Sequence, residues 1–231
     1  MKRRILLALL ASATLSAAAD VQPKTAEQIL RIVRMSYALQ NHKMDGVLRD
    51  DKSGRSEPME LTMEKQVMRF RFKNQPPEIV HLDLNPTPAV LYQVKPGGSS
   101  VVPASQMGNK VRGMDLNYED LSLGFLYWPR PQHMGEDRVT TQKCWKVRVT
   151  NPSRSGPYWT VDIWVHQASG GAAKMEAYDW QSKLVKRFQV TKVQEVDGAT
   201  TLETMKIETF DPASGKNTGR TYMQMNNPQK K

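Results

Sequence analysis

The sequence predicts a mainly β protein of the α+β kind: about ten or eleven antiparallel strands in meander order, with two helices. Three observations carry this. Apolar and polar residues alternate with period two along most of the chain, as in strands with one buried face. Turn signals such as Asp51-Lys52-Ser53-Gly54 and Asp197-Gly198 separate those runs. Only two stretches show helical spacing instead, one near the N-terminus and one in mid-chain.

The N-terminus predicts export. Met1-Lys2-Arg3-Arg4 is basic, residues 5–15 are apolar, and Ala17-Ala18-Ala19 offers a small-residue cleavage site. This is the pattern of a secretory signal peptide over 1–19. A single domain over 20–231 follows, and its expected location is the periplasm. Removing 1–19 takes away Lys2, Arg3 and Arg4, so the formal net charge falls from +10 to +7. A basic exported chain is suited to anionic lipid surfaces or acidic partners, and export argues against nucleic acid. Cys144 is the only cysteine, so no internal disulfide can form, and its strand-like surroundings predict burial.

The elements follow in order. Thr25 and Gln28 form a capping box for a helix over 26–40 that places Ile29, Ile32, Val33 and Tyr37 on one side. Strands are expected over 43–50, around Met59, Leu61 and Met63, and around Met68, Phe70 and Phe72, which alternate with Arg69, Arg71 and Lys73. Val80, Leu82 and Leu84 continue the pattern, and 90–94 adds a short strand. The Gly- and Ser-rich punctuation of about 95–113 predicts a flexible loop. A helix then runs from its cap at Asn117 to Pro129, with Tyr118, Leu121, Phe125 and Trp128 on one face and Asp120 near its positive end. Further strands are expected over 145–149, 158–165, 173–179, 184–196, 200–210 and 220–225. Residues 226–231 make a frayed basic tail.

The chain carries no recognisable catalytic constellation. His42, His81, His133 and His166 have no metal-ligand spacing among themselves or with Cys144, and no phosphate-binding glycine loop or nucleophile elbow occurs. Glu119 and Asp120 are explained by helix capping. The expectation is a protein that is not an enzyme, with no cofactor and no metal. What stands out is thirteen methionines and five tryptophans. Methionine suits apolar surfaces that repack around varying guests. A sheet closed by one helix leaves a cavity between them. Its expected lining is Met68, Phe70, Phe72, Leu82 and Leu84 from the strands, with Tyr118, Leu121, Phe125 and Trp128 from the helix.

Several words of the sequence resemble the outer-membrane lipoprotein-sorting proteins, the LolA-like superfamily. They are the signal peptide, the helix over 25–40, Tyr118-Glu119-Asp120-Leu121, Cys144-Trp145-Lys146-Val147, the strand over 159–165, Met175-Glu176-Ala177-Tyr178-Asp179, Lys183-Leu184-Val185-Lys186 and Gly219-Arg220-Thr221-Tyr222. The resemblance spans nearly all of the chain after residue 19. It implies an unclosed, strongly curved antiparallel half-barrel of about eleven strands with helices over the open side. It also implies a monomeric carrier of lipid or lipoprotein acyl chains, in transient contact with membranes. An inner-membrane transporter and an outer-membrane acceptor would be its partners. The alternative in the same family is a sensor of lipids or lipoproteins, or an accessory module of an envelope complex.

Overall fold

The computed structural model describes residues 24–38, 42–85, 88–196 and 199–226. The expected signal peptide and residues 227–231 lie outside them, as does the side chain of Tyr37. In chain order the elements are α1 (Ala26–Ala38), β1 (His42–Asp50), β2 (Ser56–Glu64), β3 (Val67–Phe72), β4 (Glu78–Asp83), β5 (Val90–Lys95), β6 (Gly98–Val101), α2 (Tyr118–Ser122), β7 (Gln132–Val139), β8 (Gln142–Thr150), β9 (Thr160–His166), β10 (Ala172–Tyr178), β11 (Leu184–Val196), β12 (Ala199–Phe210) and β13 (Asn217–Met225). Among the described residues all thirteen strands join one antiparallel sheet, ordered β6-β5-β4-β3-β2-β1-β13-β12-β11-β10-β9-β8-β7.

That order explains the helices. The chain meanders out from β1 to β6 at one edge, and returns from β7 at the other edge to β13, which pairs with β1. Residues 102–131 must therefore cross from edge to edge. They do so over one face, burying Val102, Val111, Met114, Leu116, Leu121, Phe125 and Leu126 in the main core. The segment α1 packs on the same side, with Ile29, Leu30 and Val33 fully buried. Its capping box is in place: the Thr25 N–H donates to Gln28 Oε1 (2.8 Å) and the Gln28 N–H to Thr25 Oγ1 (3.2 Å). Arg34 then donates to the Leu126 carbonyl (2.9 Å), tying α1 to the crossing segment.

The strand count departs from expectation: thirteen, not eleven. The two that the sequence conceals are the edge strands. The residues of β6 are all exposed, and those of β7 are exposed except Val139. Period-two alternation reports a strand only when one face is buried, so an edge strand exposed on both faces has no such signal. Thus the stretch read as loop over 95–113 contains β6 and the 3-10 turns Ala104–Gln106 and Val111–Gly113.

The central helix also differs. It ends after Ser122, where Leu123 adopts a left-handed conformation (φ 51°), and a 3-10 turn, Gly124–Tyr127, follows. The expected single face is therefore split between two turns at an angle. The Asn117 cap holds: Asn117 Oδ1 accepts from the Asp120 N–H (2.8 Å), and Asp120 Oδ2 accepts from the Asn117 N–H (2.8 Å).

The opposite face of the sheet is charged. Arg148, Asp162, Glu176, Arg187, Glu208 and Arg220 lie directly across from one another, one per strand from β8 to β13. Arg148 Nε sits 2.6 Å from Asp162 Oδ1, and Arg187 Nε 2.8 Å from Glu176 Oε1. These pairs allow β9 to be buried on both faces. Cys144 is buried there beside Val139, Trp164 and Ala173, and burial pushes its thiol pKa up.

Candidate functional site

Between the crossing segment and the sheet lies a cavity of about 480 Å3. Its walls come from β1 to β3 on one side and β10 to β13 on the other, closed by Leu116, Leu121 and Leu123 of the crossing segment. Seven of the thirteen methionines line it: Met44, Met63, Met68, Met175, Met205, Met223 and Met225. Leu61, Phe70, Phe188 and Ile207 supply rigid apolar wall between them. The size falls within the range of small-molecule pockets, and the lining is mainly apolar and rich in flexible side chains.

The crossing segment is pinned from beneath by a buried polar cluster. Asp120, a wall residue of the cavity, accepts from the Tyr158 hydroxyl (2.6 Å), and its Oδ2 lies 3.7 Å from Lys186 Nζ. Asn117 Nδ2 donates to the same Tyr158 oxygen (3.0 Å). Lys186 Nζ donates to the Asp115 carbonyl (3.1 Å) and to Thr209 Oγ1 (3.1 Å), while the Asp115 N–H donates to Thr221 Oγ1 (2.9 Å). Burial pushes the Asp120 pKa up, opposed by the Lys186 charge and the Tyr158 hydroxyl. Burial likewise raises Tyr158, reinforced by the neighbouring carboxylate. Gly219 completes the arrangement, because a methyl group there would overlap the Asp115 carboxylate.

A second anchor is Arg112. Its Nε donates to Glu57 Oε2 (3.1 Å), its Nη2 to the Asn74 carbonyl (2.9 Å) and its Nη1 to the Pro76 carbonyl (3.0 Å). Nearby, the Tyr118 hydroxyl donates to Glu78, and burial with that carboxylate raises the tyrosine pKa. Glu119, half-buried beside Asp120, has its pKa pushed up to about 7, chiefly by burial and then by the Asp120 charge. Of these two carboxylates, Asp120 is the one bonded into the crossing segment's attachment.

Of the lining residues read from the sequence, Met68, Phe70 and Leu121 border the cavity. Phe72 and Leu82 are fully buried in the core beside it, and Leu84 is half-buried against that core. Phe125 is buried away from the cavity wall and meets Trp128 edge to face, ring centroids 6.4 Å apart; Tyr118 and Trp128 are half-buried. The break at Leu123 separates Phe125 and Trp128 from the α2 face that carries Leu121, whereas the Tyr118 hydroxyl is held by Glu78. Sequence reasoning missed the C-terminal half of the lining, on β10 to β13. A signal was available: Met223 and Met225, like Met205 and Ile207, alternate with polar neighbours just as Met68 and Phe70 do.

The chain belongs to a family of proteins described only as uncharacterized, which matches residues 96–230. No curated protein sequence matches it. Solved structures share its fold. A putative outer membrane lipoprotein-sorting protein domain from Vibrio parahaemolyticus is 15% identical, with TM-score 0.66, covering 88% of this chain and 92% of that one. A LolA superfamily protein from Nitrosomonas europaea is also 15% identical at TM-score 0.66, covering 90% and 95%. A DUF1329 family protein from Desulfovibrio piger is 14% identical at TM-score 0.61, covering 89% and 92%. The resemblance read from the sequence is therefore one of fold.

Proposed function

We propose that this LolA-like chain is a periplasmic, non-enzymatic carrier that holds a lipid or lipoprotein acyl chain in its cavity and passes it towards the outer membrane. The observation that carries the reading is the methionine-lined cavity under the crossing segment. Each methylene removed from water contributes about 0.8 kcal/mol, so a chain sheltered there gains several kcal/mol without any covalent step. We further propose that the sheet curves into a half-barrel. Walls from β3 and from β10, six strand steps apart at about 4.8 Å each, face one cavity, and a flat sheet would hold them too far apart.

Titration with an environment-sensitive fluorescent fatty acid tests the carrier reading. Saturable binding by the protein is expected, with at least a tenfold loss in Met205→Asp. Met205 is half-buried and on the wall, so the fold should survive that change. Absence of saturable binding would refute the reading.

A further inference from the structure

The outer face of the sheet, charged from β8 to β13, becomes apolar towards the β6 edge. Ile79 faces Val94, which faces Ser99; in the adjacent row His81 faces Tyr92, which faces Val101. These residues alternate with the buried Val80, Leu82 and Leu91, so they stand on the face away from the cavity. Val101 is 55% exposed, on the edge strand itself. The two edges of the sheet are built differently. Edge strand β7 carries Glu136, Asp137 and Arg138 and a bulge between His133 and Glu136, devices that discourage pairing with another chain. Edge strand β6, Gly98-Ser99-Ser100-Val101, has neither charge nor bulge.

The bonding direction of β6 follows from its one neighbour. The Val102 N–H donates to the Leu91 carbonyl (2.9 Å), so Val102, and Ser100 two residues before it, turn their backbone groups towards β5. Ser99 and Val101 therefore turn theirs, an N–H and a carbonyl each, to the free edge. The Pro96-Gly97 turn and Pro103 bound this short stretch on either side. A second copy running antiparallel, with Ser100 against Ser100 on a two-fold axis, satisfies all four groups of each copy. Ser99 then exchanges both hydrogen bonds with Val101 of the second copy, and Val101 with its Ser99. Ser99 and Val101 both belong to the outer face, so in this register outer face continues into outer face. Val94, Ser99 and the second copy's Val101 and Tyr92 then form one row across the junction.

We propose that β6 is a self-association edge, through which two copies of this chain join their sheets about a two-fold axis. Charge does not oppose the pairing, although the chain is strongly basic. The outward cations Arg69 and Arg71 of β3 stand three strands in from the edge, about 14 Å at about 4.8 Å per strand. That exceeds the screening length of about 8 Å at physiological salt. Lys95 aligns with Gly98, and hence with Val102 of the second copy, so the register sets no cation beside another. An uncharged edge gives an acidic or basic peptide nothing to select it by, whereas its own sequence fits it in one register. A two-fold contact also closes at two copies, and the guarded β7 edge opposes growth into a filament. The resemblance implies a monomer; this edge gives that monomer a defined way to pair. No β6 residue lines the cavity, so the proposal stands apart from the carrier reading.

Sedimentation equilibrium of the purified protein, from about 1 μM to about 1 mM, tests the proposal. A monomer–dimer equilibrium is expected, weak because only a short strand pairs. Val101→Lys, at an exposed position, should weaken the dimer at least about tenfold while the melting temperature and fatty-acid binding stay as in wild type. Hydrogen exchange at the Ser99 and Val101 amides should slow as concentration rises, with the Ser100 amide, turned towards β5, as internal control. The register has its own readout. Ser100→Cys should form a disulfide-linked dimer on mild oxidation, because facing Cα atoms in such a pair lie about 4.5 Å apart. Wild type, whose Cys144 is buried, should form none. A monomer at every concentration, whether the edge is idle or serves another protein, would overturn the proposal. So would a dimer that survives Val101→Lys and gives no Ser100→Cys cross-link, since its contact then lies elsewhere.

Discussion

Glu119 and Asp120 are neighbours, yet their environments assign them different consequences. The Glu119 carboxyl is neutralised more readily in the folded chain than in the unfolded one, since its pKa rises from 4.5 to about 7. The folded state therefore binds more protons between those values. Its stabilising contribution is complete below about pH 4.5 and disappears as pH rises through about 7. Glu119→Gln should flatten the fall in urea-unfolding free energy between pH 5 and 8 by up to about 3 kcal/mol; an unchanged pH profile would contradict the assignment. Asp120 and Lys186 form a buried pair instead. Breaking it with Lys186→Met should cost about 3–5 kcal/mol, and the double change Asp120→Asn/Lys186→Met less than the sum of the single ones, as read from denaturant melts. Phe125, expected from the sequence to face the ligand, is core. Phe125→Ala should lower stability by about 3–5 kcal/mol.

At the scale of elements, the turn between β2 and β3 offers a direct check. Lys65 and Gln66 both have positive φ (50° and 65°), the backbone of a tight hairpin turn that glycine fits better. Gln66→Gly should raise stability by about 1 kcal/mol, measured by thermal melting. The same scale shows what the sequence can reveal. Strands such as β3, with Met68, Phe70 and Phe72 inward and Arg69 and Arg71 outward, are legible because their two faces meet different solvents. The Thr25 capping box and the Asn117 cap are legible for a similar reason, since local hydrogen bonds need only local residues. The edge strands β6 and β7 are not, because both of their faces meet water. Nor is the break at Leu123: nothing in Leu-Ser-Leu-Gly announces a left-handed leucine. The site was half legible in consequence. Residues whose burial follows from strand parity were found on β3, whereas the choice between wall and core, as for Phe125 against Leu121, depends on that break.

For the whole molecule, the pairing of β13 with β1 and the edge-to-edge crossing are the decisive features. They make the first and last strands neighbours and oblige residues 102–131 to roof one face, leaving the methionine-lined space beneath. A ligand bound only by the folded state stabilises it in proportion to the logarithm of its saturation. Stripping lipid from the purified protein should therefore lower its melting temperature by several degrees, and adding acylated lipid should restore it. The most direct test of the carrier account is native mass spectrometry of the protein purified from its native host, with extraction and identification of whatever it carries. The account predicts a co-purifying acylated species, lost in Met205→Asp while the fold is retained. A protein that emerges empty, and stays empty after incubation with acylated lipid, would contradict it.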